Sequence, residues 1–236
     1  MRRPGQRRLL HPDGRAVRPH IYTLFAFLLP YVEQDNVFKS MVITGYAGGQ
    51  YMRVVQTYIC PTDPSIARGM NTTTNGGANN WAASSYGGNN YVFGDPKAGH
   101  TRGYVTIPAS VPDGLSNTIF FAEMYGTCGN GGTLNSSATW GSLWADANST
   151  WRPGYNLGPS KGGGGLAAYP ATPMFQVQPN PYYVNCLPDR PQSGHAGGIN
   201  VGLGDGSVRF VRQGIGQQTW DRVNNPQDGN TLGNDW

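Results

Sequence analysis

At 236 residues with 13% charged side chains, 35 Gly and 18 Pro, the chain is long enough to bury the core of one large domain. Few charges, many turn formers and 13 Tyr favour short strands joined by turns over a helical bundle. The formal charge of +4 is local: Arg2, Arg3, Arg7, Arg8, Arg15 and Arg18 against Asp13 give +5 in the first twenty residues and leave −1 on the rest, which excludes a nucleic-acid-binding body in the absence of any such motif.

Residues 1–20 read as a basic irregular arm, and 21–236 as a single domain. Residues 21–41 carry the one good helical pattern: Leu24, Phe27, Leu28, Tyr31 and Val32 fall on one face, Phe38 extends it, and Pro30 kinks the helix or opens its second half. The stretch is too short to span a membrane, and no other is apolar enough. From Tyr51 to Ile59 the residues are dense, apolar and β-prone, and Cys60-Pro61 ends the expected strand. Residues 71–80 have the composition of a surface loop. Tyr91-Val92-Phe93 and Thr118 to Ala122 read as central strands, the second introduced by the Pro112-Asp113-Gly114 turn.

Residues 126–192 form a long insertion, rich in Gly and Pro yet studded with rings, Trp140, Trp144 and Trp151 among them. So many large rings in a segment with few charges imply an ordered excursion with surface left over for a second subunit, the three tryptophans being its anchors. The strongest local signal follows at 193–211. Two alternating runs, Ile199 to Leu203 and Ser207 to Phe210, flank Asp205-Gly206, the sign of a β-hairpin.

The chemistry-bearing residues are each matched by a plainer reading. His195, Ser116 and Asp205 could be drawn as a triad, but no Gly-x-Ser-x-Gly elbow is present, and Ser116 suits a turn. His195 is expected to cap a turn or pack beside Gly197-Gly198. Glu123 follows the apolar run Ile119-Phe120-Phe121-Ala122; buried there it needs a partner, and Arg209 is the one nominated, a structural pair being preferred over a catalytic acid. Asp63, Asp113, Asp205 and Asp228 sit in Asp-Gly or Asp-Pro turns without an Asp-x-Asp-x-Asp-Gly array, so no metal site is assigned; Asp113, Asp205 and Asp228 are the calcium candidates, and calcium the one cofactor left open.

Cys60, Cys128 and Cys186 show no metal-type spacing, and a zinc site is not expected. They leave either one disulfide, Cys128 with Cys186 in an exported chain, or three buried thiols. Asn71, Asn135 and Asn148 each begin an N-glycosylation pattern.

Several blocks together resemble a bacterial prepilin-like family, the domain-of-unknown-function family fifteen-fifty-nine. Residues 195–210 are similar to its His-x-Gly-Gly-x-Asn-Val-x-x-x-Asp-Gly-Ser-Val-Arg-Phe signature, including His195, Gly197, Gly198, Asn200, Asp205, Gly206 and Arg209. Leu28 to Asn36, Tyr58 to Pro64, Ser85 to Asn89 and Asp113 to Ile119 followed by Glu123 resemble its other blocks in order. The family's prepilin cleavage site and long apolar helix are not found; either the chain is cytoplasmic or its N-terminus was lost by processing, truncation or a wrong start, and the resemblance favours the second.

The residues read as a mainly β, α+β domain, with a short N-terminal helix, an antiparallel sheet closing with the Asp205-Gly206 hairpin and a sandwich or jelly roll as the alternative. The resemblance implies a pilin-like plan in which a long helix packs on that sheet. It implies an exported, non-enzymatic subunit that assembles with itself into a cell-surface or extracellular filament. A glycan-binding module using exposed Trp and Tyr is the alternative function, and a hydrolase using Glu123 comes last.

Overall fold

A computed structural model describes residues 22–41, 45–96, 103, 105–147, 151–157 and 171–236; the basic arm therefore lies outside the described residues. The fold is mainly β with a few short helices. In chain order the strands are β1 (Ile66–Ala67), β2 (Met70–Asn71), β3 (Tyr86–Asn89), β4 (Ile119–Glu123), β5 (Thr127–Gly129), β6 (Thr139–Gly141), β7 (Gly154–Tyr155), β8 (Gln176–Val177), β9 (Gln192–Ser193), β10 (Gly198–Leu203) and β11 (Val208–Arg212). Five of them form the central sheet in the order β11-β10-β4-β3-β7, and the others pair off as β1-β2, β5-β6 and β8-β9. Neighbouring central strands run antiparallel except β7, which joins β3 in parallel. The insertion thus donates an edge strand to the sheet. No second large sheet exists among the described residues, so the sandwich and jelly-roll alternatives are not formed.

Side-chain alternation gives the sheet two covered faces. On one, Ala122, Ile199, Val201 and Val211 pack with Trp220 and Val223 of the helix Gln217–Asn224. On the other, Phe121 meets the ring of Phe25 edge-on at 6.1 Å, and Phe25 in turn meets Tyr58 at 5.0 Å. Between the pairs Gly202↔Phe121 and Leu203↔Ile119 the register shifts: β4 advances two residues while β10 advances one. That bulge turns Phe120 into a separate cluster with Val92 and Val111.

The expected N-terminal helix is present in pieces. Thr23 caps Leu24–Leu28 by accepting from the Ala26 amide, Pro30 opens a 3-10 turn over Leu29–Val32, Glu33 takes a left-handed φ of 60°, and a new helix runs Asp35–Ser40. The breaks rotate the apolar face. Phe25, Ala26 and Leu29 are buried, whereas Tyr31, expected on the inner face, is 84% exposed.

Two expected strands are not strands. Tyr51 to Ile59 contains two 3-10 turns, Gln50–Met52 and Gln56–Tyr58; its apolar residues plug the core while the carbonyls of Tyr51 and Tyr58 accept from Ala82 and Ser85. Tyr91-Val92-Phe93 is a helical turn because the Asn89 side chain accepts from the Tyr91 amide and caps it. The segment 71–80 is also less superficial than its composition suggests, since Asn71 and Thr73 are buried.

The hairpin β10–β11 forms with Gly202 opposite Val208. Its loop is longer than a two-residue turn: the Gly206 amide donates to Leu203 O, Leu203 N donates to Ser207 O, and Gly206 takes φ +87°, which is a three-residue loop closed by a left-handed glycine.

Candidate functional site

Tyr86, Glu123 and Asn200 stand in one row across β3, β4 and β10, since Tyr86 pairs with Glu123 and Glu123 follows Ala122, the partner of Val201. All three point to the face covered by the N-terminal segment. Arg209 pairs with Val201, one step out of phase with that row, so period-two alternation sends it to the opposite face. Its guanidinium stacks instead over the Trp236 ring at 4.5 Å. The expected Glu123–Arg209 pair is therefore not made.

Glu123 is 4% exposed and its carboxylate is fully engaged. Oε2 accepts from Ser193 Oγ at 2.8 Å and from the Asn200 amide at 3.0 Å. Oε1 accepts from Asn200 Nδ2 at 2.9 Å and lies 2.9 Å from His195 Nε2. Rather than packing beside Gly197-Gly198, His195 is drawn to Glu123, with its amide donating to Ser193 Oγ at 3.1 Å.

The third wall is the segment after Tyr58. Cys60 is a buried free thiol; its Sγ lies 3.8 Å from His195 Nε2 and 3.1 Å from Thr62 Oγ1, and Thr62 Oγ1 lies 3.3 Å from the same imidazole nitrogen. Two features hold this segment against His195. At Gly194 an added Cβ would sit 2.2 Å from the Thr62 carbonyl oxygen, so only glycine lets the two loops touch. Asp63, 8% exposed, ties the loop to the sheet. Its Oδ1 accepts from Ser65 N and Ser65 Oγ, and its Oδ2 from Ser85 Oγ and the Gly126 amide. Burial pushes the Asp63 carboxyl above its ordinary range, against the four donors that pull it down. Burial likewise pushes the Tyr86 and Tyr125 phenols beside this corner up to about 12.

Donor atoms of Cys60, Glu123 and His195 all lie within 4.8 Å of one another. As a nucleophile, base and orienter the trio is wired wrongly. Cys60 and Glu123 both approach Nε2, whereas an orienting carboxylate must hold the other ring nitrogen while the nucleophile faces the first. The triad drawn from His195, Ser116 and Asp205 is not assembled either, because Asp205 spends its carboxylate on Ser207 of its own turn. Nothing in sequence spacing ties Cys60 to a histidine 135 residues away, so its place beside His195, and that of Thr62, are visible only in the fold.

The remaining expected sites are scattered. Cys128 and Cys186 form a disulfide. Asp113 accepts from the amides of Asp228 and Gly229, and Asp228 from Asn230; with Asp205 bound to its own turn, no cluster of three acids forms among the described residues. Asn71 is buried, its amide donating to Trp81 O, so it is no glycan acceptor; Asn135 is exposed, and Asn148 lies outside the described residues. Trp144 is fully buried with its Nε1 donating to Arg53 O, while Trp140 and Trp151 are half-buried against each other at 5.3 Å. None of the three is an exposed anchor for a neighbouring subunit. No curated protein and no solved structure matches the chain. The family model described as a protein of unknown function (DUF1559) matches residues 9–218, and the chain belongs to that family.

Proposed function

We propose that the chain is an exported, non-enzymatic structural subunit that associates with copies of itself through the outer edge of β11. The observation that carries this reading is the apolar stripe on that edge. No described strand pairs with the far side of β11, and Val208 and Phe210 on it are 75% and 47% exposed. An exposed apolar edge strand is a template for another strand. If two copies pair antiparallel about Phe210, Val208 faces Arg212, Arg209 faces Val211 and the two Phe210 rings meet. No arginine then opposes another, as a self-complementary two-fold interface requires. The disulfide Cys128–Cys186 supports export, because such bonds persist in oxidising compartments.

The glycan-binding alternative keeps only the tyrosine half of its premise: Tyr31 and Tyr46 are exposed, whereas no tryptophan is exposed among the described residues. Sedimentation velocity of the wild type and of a Val208→Lys, Phe210→Lys double variant tests the proposal. Concentration-dependent growth in mass, lost in a variant with unchanged melting midpoint, supports it. A wild type that stays monomeric at high concentration, or a variant that associates normally, overturns it.

A further inference from the structure

We propose that Cys60, Glu123 and His195 bind a single zinc(II) ion, with Thr62 beside the remaining coordination position. The inference stands apart from self-association and rests on how three side chains from distant segments converge on one atom. His195 Nε2 has the Glu123 carboxylate at 2.9 Å, the Thr62 hydroxyl at 3.3 Å and the Cys60 thiol at 3.8 Å. A single N–H can be donated well to only one of them. A cation at the centre satisfies thiolate, imidazole and carboxylate together.

The dimensions fit. Zinc bonds of about 2.0–2.3 Å set tetrahedral ligands roughly 3–4 Å apart. The donor atoms lie within 4.8 Å of one another, so an ion replaces the proton between His195 and Glu123, parts those two by a few tenths of an ångström and draws any wider pair inward. The donor set decides the class: one sulfur, one nitrogen and one oxygen suit a borderline ion, whereas calcium and magnesium take oxygen alone. The carboxylate is also supported as metal-ligating carboxylates are, by Ser193 Oγ, Asn200 N and Asn200 Nδ2. A His195 side chain that is 32% exposed leaves a route from solvent. Three protein ligands and one open position are the layout of an ion that also holds a water or a partner's donor.

The test is titration of the reduced, metal-stripped full chain with cobalt(II), a spectroscopic stand-in for zinc. Stoichiometric binding with a thiolate-to-cobalt charge-transfer band and tetrahedral d–d bands, both abolished on adding equimolar zinc, is the expected result. Cys60→Ser should remove the charge-transfer band, and Ser193→Ala should weaken binding by about 10- to 100-fold through the loosened carboxylate. Should Cys60→Ser fail to fold, His195→Gln on the partly exposed side replaces it. A wild type with no band, a band that survives in folded Cys60→Ser, or cobalt that zinc does not displace overturns the proposal.

Discussion

The β10–β11 hairpin and the corner around Glu123 share a strand but are specified differently. In the hairpin every determinant lies within fifteen residues: alternation in two runs, Asp205 accepting from Ser207, and Gly206 at φ +87°. The corner gathers Cys60 and Asp63 from one loop, Tyr86 from β3, Glu123 from β4, Ser193 from β9, His195 from the lead into β10 and Asn200 from β10 itself. Its stability is a property of buried hydrogen bonds between segments, that of the hairpin a property of local backbone chemistry. The two should therefore fail in different ways.

The largest effect is expected at Asp63. Asp63→Ala strands four donors, two of them backbone amides, in a buried place, and should cost about 3–4 kcal/mol, since a single unsatisfied buried group costs roughly 1–3. Urea denaturation measures it; a loss under about 1 kcal/mol would show that the loop holding Cys60 is positioned by something else.

Gly206→Val tests the hairpin in isolation. A Cβ there meets nothing within 4 Å, so the penalty is pure backbone strain, about 1–3 kcal/mol. An unchanged melting midpoint would refute the left-handed turn.

The smallest effect separates the regions by pH. Tyr86 and Tyr125 have folded pKa values raised to about 12 by burial, against 10.0 ordinarily. Between pH 10 and 12 the folded chain binds more protons than the unfolded one, so the stability these phenols contribute is present below pH 10 and is lost as pH rises through 12. Each accounts for less than about 1.4 kcal/mol per pH unit. Denaturation midpoints should fall over that interval and fall less in Tyr86→Phe; identical slopes in the two proteins would break the assignment.

How much of this was legible follows from the same contrast. The hairpin, the strand around Ile119 to Ala122, the mainly β class and the family blocks are all signals carried by neighbours in sequence. Tyr91 to Phe93 misled because a single side chain, Asn89, caps a turn and overrides three β-prone residues. The pairing of Glu123 with Arg209 failed by one residue of strand phase, which the register of β4, β10 and β11 decides. The aromatic insertion misled for another reason. Composition shows how many rings a segment has, but only the fold shows that Trp144 fills the core and that Trp140 and Trp151 cover each other. The exposed apolar side chains of the central sheet, Val208 and Phe210, lie instead on β11, a strand that the sequence assigns to the hairpin alone.

Amide hydrogen exchange of β11 tests self-association through that edge most directly. At low concentration the outward-facing amides of Val208 to Arg212 should exchange faster than the inward-facing ones bonded to β10. At high concentration the outward set should gain protection while the rest of the sheet stays unchanged. Outward amides that exchange at the same rate at every concentration would contradict the account.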